Sequence, residues 1–184
     1  MVDLVCMAKF SNLNQAMETP ELHVINKIHW QFFGTLTFKR DRMIERWRLG
    51  MWFALLRLTA KQFEIPFPKL LWVLRQEKGE QFGRIHFHYL LAGLDRRCAN
   101  ITTCHWLMNC WENRGGGMSR VHVFDPRLNA GSYMLKEHYG FNDHTLGGDH
   151  YESAKFSSQD CELMIANSVW KVAKRRSQKS DRVH

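Results

Sequence analysis

Two strand-like runs, LLWVLRQE (70–77) and RIHFHYLLAGL (84–94), are separated only by the polar segment KGEQFG (78–83). A connection that short between two such runs predicts an antiparallel hairpin, so any fold of this chain has to place these strands side by side in one sheet. Strand side chains alternate between faces. His86, His88 and Leu90 therefore share one face, and Ile85, Phe87 and Tyr89 share the other. The second set can pack against helices, which leaves the histidine face as the open side of the sheet.

The rest of the chain supplies the other elements. HWQFFGTLTF (29–38) reads as a first strand, rich in aromatics and threonine. Asp41 is placed to cap a helix over about 42–64, where Ile44, Trp47, Met51, Leu55 and Leu58 recur at three- and four-residue spacing. The IPFP segment at 65–68 ends it. Thr102 or Thr103 is placed to cap a further helix through Trp111, closed by Arg114 and three glycines, Gly115 to Gly117. SRVHVF (119–124) makes a fourth strand, a helix is expected over about 129–138, and a last helix from about 159. The order β-α-β-β-α-β-α predicts an α+β sandwich of the ferredoxin-like or RRM-like kind, with an antiparallel central sheet and helices packed on one face.

The 184 residues fit one domain with short additions: an N-terminal extension over 1–28, a central domain over 29–158, and a C-terminal helix with a basic tail over 159–184. Lysine and arginine exceed aspartate and glutamate by 26 to 18, a net charge of +8 that favours a polyanionic partner. The five cysteines are odd in number and form no CxxC pair, which fits reduced thiols in a cytoplasmic protein better than a disulfide framework or a zinc finger. The opening residues, MVDLVCMAKFSN, lack the features of a signal peptide, and no apolar run is long enough to span a membrane.

Two imidazoles one strand repeat apart can both reach a single divalent ion. A third ligand is expected on the neighbouring strand. With the turn at about 81–83, Glu77 falls opposite or diagonal to His86 or His88, and directly opposed Cβ atoms lie about 5 Å apart. Glu80 is a rival ligand within the turn. A His-His-carboxylate set leaves coordination positions open for substrate. Its mixed nitrogen and oxygen donors suit Mn²⁺ or Mg²⁺ without excluding Zn²⁺.

A Lewis-acid site in a basic protein suggests phosphoryl transfer, which calls for a nucleophile. NAGSYMLKEHYG (129–140) offers Tyr133 and Lys136, three residues apart and so on one face of a helix. A phenol is a weak nucleophile at its ordinary pKa of about 10. A lysine beside it can stabilise the negative charge that develops on phenolate or phosphate.

FGTLTF (33–38), EKGEQFGRIHFH (77–88) and YMLK (133–136), in that order, resemble the three motifs of the HUH endonucleases. Within that family the chain is most similar to the single-tyrosine rolling-circle replication initiators of small plasmids and single-stranded DNA viruses and phages. The resemblance covers roughly residues 29–140. It implies that Glu77, His86 and His88 hold the metal and that Tyr133 attacks the scissile phosphate of single-stranded DNA at a hairpin-associated origin. The product is a 5′-phosphotyrosyl enzyme and a free 3′-hydroxyl, with Lys136 neutralising charge nearby. A host helicase or polymerase is the expected partner after nicking. Tyr139 lies about 120° round the helix from Tyr133 and does not fit a two-tyrosine arrangement. A glutamate where conjugative relaxases carry a third histidine argues against a relaxase, and no GxxxxGK[ST] motif is present to mark a fused helicase. A single-strand transposase with the same core and a non-catalytic nucleic-acid-binding α+β module are the alternatives.

Lys39, Arg40 and Arg84, together with Lys174, Arg175 and Arg176 in the tail, are candidate phosphate contacts. Trp30, Phe32 and Phe38 are candidate stacking platforms, the alternative being that the aromatics mostly fill the core.

Overall fold

The computed structural model describes residues 20–40, 43–79, 83–128, 133–134, 145–146, 153–157 and 161–180. Its elements are α1 (Pro20–Asn26), β1 (Phe32–Phe38), α2 (Glu45–Gln62), β2 (Leu71–Lys78), β3 (Ile85–Ala92), α3 (Ile101–Asn113), β4 (Gly116–Val123), β5 (Thr145–Leu146), β6 (Ser153–Ser157), β7 (Cys161–Ala166) and α4 (Asn167–Ser180). The strands form one antiparallel sheet in the order β4-β1-β3-β2-β7-β6-β5. The βαββαβ unit from β1 to β4, with β1 and β3 in the middle, is the expected α+β sandwich; α1 precedes it, and β7, β6 and β5 extend it beyond β2.

One face of the sheet, carrying Phe32, Leu36, Trp72, Leu74, Phe87, Tyr89 and Leu91, is buried almost completely. Burial of each such side chain stabilises the fold by about 1.5–3 kcal/mol. Trp52 of α2 packs at 5.0 Å from Tyr89 and 6.0 Å from Trp72, and Trp111 of α3 packs at 5.4 Å from Phe38. The buried side of α2 is Trp52, Phe53, Leu55, Leu56, Thr59 and Ala60, rotated from the expected stripe; Ile44 and Trp47 are exposed. The helix carries more than one apolar stripe, and the sheet takes the one with Trp52. Its N-cap is Ile44, in extended backbone, while Asp41 lies outside the described residues.

The cap of α3 is Asn100, whose side chain accepts from the Thr103 amide at 3.0 Å, so Thr102 and Thr103 lie inside the helix. Of the three glycines after it, only Gly115 belongs to the turn, at φ +88°. Gly116 already opens β4, where a Cβ would lie 2.3 Å from Trp111 Nε1. The segment expected to begin the last helix is instead β7, paired to β2 from Val73–Ile165 to Glu77–Cys161. The helix expected over 129–138 falls mostly outside the described residues; Tyr133 and Met134 are helical.

Leu90 shares the histidine face but is fully buried, as are Val73 and Ile165 beside it. That face is therefore covered around Leu90, Val73 and Ile165, partly open at Glu77 and His86, and exposed at Arg120 and His122 of β4. Among the described residues no helix is long and apolar enough to cross a membrane.

Candidate metal centre

The hairpin register places Glu77 directly opposite His86 and Arg75 directly opposite His88, with Thr35 of β1 opposite His88 on its other side. Alternation puts Thr35, Arg75, Glu77, His86 and His88 on one face. Glu77 Oε1 lies 2.7 Å from His86 Nε2 and 3.0 Å from His88 Nε2. One ligand atom from each of the three residues can be chosen so that all lie within 4.8 Å of one another. Among the described residues no other group of three His, Cys, Asp or Glu side chains gathers in this way.

The donor set fits a divalent cation. An ion bonded at about 2.1 Å to each ligand sets neighbouring ligand atoms about 3 Å apart at right angles, close to the two separations between Glu77 and the histidines. The other nitrogens of both imidazoles face protein oxygens: His86 Nδ1 lies 3.3 Å from the Arg84 carbonyl and His88 Nδ1 lies 3.0 Å from Thr35 Oγ1. Without an ion each Nε2 donates to the Glu77 carboxylate; with an ion bound, those Nε2 hydrogens would be given up and the Nδ1 contacts would hold the rings in the orientation that ligation requires. The group Glu77, His86, His88 can therefore hold a metal ion.

Electrostatics favour an ionised carboxylate there. Burial pushes the Glu77 carboxyl up, but hydrogen bonds from His86 and His88 and the charges of His88 and Arg75 outweigh it, and the group sits well below the usual carboxylate range. Burial pushes the His88 imidazole down, against the pull of Glu77, which favours the neutral ring that ligation requires.

Tyr133 joins the group from outside the sheet. Its hydroxyl lies 3.0 Å from His88 Nε2, and its ring meets His88 edge-on at 5.0 Å and Phe33 edge-on at 5.9 Å. Arg75 ties the two parts together. Its Nε and a terminal nitrogen donate to Glu77 Oε2 at 2.8 and 2.7 Å, and its other terminal nitrogen donates to the Tyr133 carbonyl at 2.8 Å. Phe33 and Thr35, both within the FGTLTF motif but given no role there, also belong to this centre, as does Arg75, which lies outside the three motifs. For Arg75 a signal existed in the sequence: it precedes Glu77 by two residues and so shares its face.

The structure thus brings Glu77, His86, His88 and Tyr133 together, while Lys136 and Glu80 lie outside the described residues. Lys39 turns toward α3, with Nζ 3.5 Å from the Glu112 carbonyl. Arg40, Arg84, Lys174 and Arg175 are exposed, and Arg176 donates to the Lys27 carbonyl. Trp30 and Phe32 are buried in the core, and Phe38 packs against Phe87 and Trp111, so these three are not stacking platforms. Phe33 is an aromatic residue on the site face, beside His88. Arg120 and His122 of β4, both exposed, stand opposite Thr35 and Phe33 on that same face. Comparison with protein-family models, with curated proteins and with solved structures returned no match.

Proposed function

We propose that the chain is a metal-dependent, site-specific single-stranded DNA nickase and ligase of the HUH type that initiates rolling-circle replication, with Tyr133 as its nucleophile. The observation that carries this reading is the position of the Tyr133 hydroxyl, 3.0 Å from His88 Nε2 at the rim of a three-donor metal group. Bound by Glu77, His86 and His88, Mn²⁺ or Mg²⁺ supplies Lewis-acid polarisation of the scissile phosphate.

The protein's own groups do the rest. The phenol oxygen of Tyr133 attacks phosphorus and the bond to the 3′-oxygen breaks. The phenol gives up its proton and the departing 3′-oxygen gains one. The DNA is left as a 5′-phosphotyrosyl adduct and a free 3′-hydroxyl, and reversal of the same steps rejoins the strand. Phe33 and His88 confine the Tyr133 ring by their edge contacts, and the Arg75 guanidinium, 5.5 Å from the ring centroid, places positive charge beside it. Thr35 orients His88. Lys136, by the family resemblance, neutralises charge near the phosphate. The substrate is single-stranded DNA at a replication origin in the cytoplasm of the host cell.

The test is incubation with labelled single-stranded DNA carrying the candidate origin and Mn²⁺. The wild-type protein should give a denaturation-resistant adduct, and chelation or Tyr133→Phe should abolish it. An adduct that persists in Tyr133→Phe assigns the nucleophile elsewhere.

A further inference from the structure

Arg75 has an unusual position for an arginine. Its side chain is 1% exposed in the middle of β2, and all three guanidinium nitrogens have partners. A buried guanidinium is costly unless fully paired, and here its partners belong to two different parts of the centre. Two nitrogens hold Glu77 Oε2, the carboxylate oxygen that faces away from the histidines, and the third holds the backbone carbonyl of Tyr133.

We propose that Arg75 is the positioning residue that couples the metal group to the nucleophile, holding Glu77 with a single oxygen toward the ion while docking the Tyr133 segment against the same centre. The inference rests on the nickase reading above. The planar fork suits this double task better than an ammonium, because its donors are spread over three nitrogens in one rigid plane, whereas a lysine offers all of its donors from a single nitrogen on a flexible stem. With Oε2 engaged by Arg75, only Oε1 remains to face His86 and His88. With the Tyr133 carbonyl engaged, its hydroxyl stays within reach of the metal group. A purely structural arginine would affect stability alone. A coupling arginine affects metal affinity and, separately, the rate at saturating metal.

The experiment compares wild type with Arg75→Lys. Mn²⁺ affinity is read by calorimetry without DNA, and adduct formation is read at saturating Mn²⁺. Arg75→Lys should bind Mn²⁺ about 10–100-fold more weakly and should still form adduct at least about tenfold more slowly once saturated, since misplacing a reacting group is costly. Affinity and saturated rate both within twofold of wild type would overturn the proposal. A saturated rate that recovers fully would overturn the Tyr133 half of it. Should Arg75→Lys fail to fold, wild-type protein labelled with ¹⁵N at arginine decides the matter through the Arg75 Nε–H resonance. That resonance should shift on Mg²⁺ titration, and one that does not move counts against the proposal. Wild-type protein that binds Mn²⁺ but forms no adduct would instead sink the nickase reading, leaving the ligand-positioning half to stand on the affinity measurement.

Discussion

Thr35 Oγ1 lies 3.0 Å from His88 Nδ1, joining the first strand of the sheet to a candidate metal ligand 53 positions further along the chain. The contact fixes which ring nitrogen of His88 faces Glu77. Thr35→Val keeps the branched strand side chain and removes only the oxygen. It should weaken Mn²⁺ binding about 10-fold or more while leaving the fold intact, as read by calorimetry alongside circular dichroism. Unchanged affinity would reduce Thr35 to a strand residue.

Glu77 and Arg75 are expected to be coupled in the metal-free protein as well. Glu77→Gln preserves shape but leaves the buried guanidinium without its anion. In the presence of chelator this should cost about 2 kcal/mol by urea denaturation. Adding Arg75→Met should recover part of that loss, because the pair then vanishes together. Simple additivity of the two losses would mean that the ion pair does not organise the apo centre.

The centre divides into parts that local sequence reveals and parts that it does not. Glu77 and His86 are joined by a short hairpin, so alternation and turn length suffice to bring them near each other on neighbouring strands, opposite or diagonal; the observed register selects direct opposition. Thr35 and Phe33 depend on the pairing of β1 with β3, which no local signal sets. Arg75 sits on the legible face, but a buried arginine runs against the residue's usual exposure, and only its two partners account for it. CELMIA, Cys161–Ala166, is rich in good helix formers and reads as helix; the edge of β2 from Val73 to Glu77 draws it into the sheet instead. In α2 the periodicity is clear, yet it leaves open which apolar stripe meets Trp72 and Tyr89.

The glycine of FGTLTF has a packing reason. A Cβ on Gly34 would lie 2.2 Å from Tyr89 Cε1, because the buried ring crosses directly over the β1 backbone. Gly34→Ala should therefore destabilise the protein by about 1–3 kcal/mol through overpacking, read as a lower denaturation midpoint. Gly34→Ala with Tyr89→Leu should recover part of the loss, since the shorter side chain frees the space. A single variant as stable as wild type would show that the ring moves aside freely.

Arg120 and His122 extend the site face past Thr35 and Phe33 to the sheet's β4 edge, in register with the metal group. Directly opposed Cβ atoms are about 5 Å apart, so Arg120 stands two strands, or about 10 Å, from His88 across the sheet. A single strand that brings one phosphate to the metal group can place a neighbouring phosphate there and a base against Phe33. Arg120→Gln should weaken binding of non-cleavable single-stranded DNA and lower the steepness of log affinity against log salt by about 0.7. Phe33→Leu should cost about 1–3 kcal/mol of binding by loss of stacking, with the salt slope unchanged. Mn²⁺ affinity should stay at the wild-type value in Arg120→Gln, which separates DNA tracking from metal binding. Measurements by fluorescence anisotropy at several salt concentrations check both. If neither variant alters binding, the DNA does not cross β4 and must approach from the β2 side.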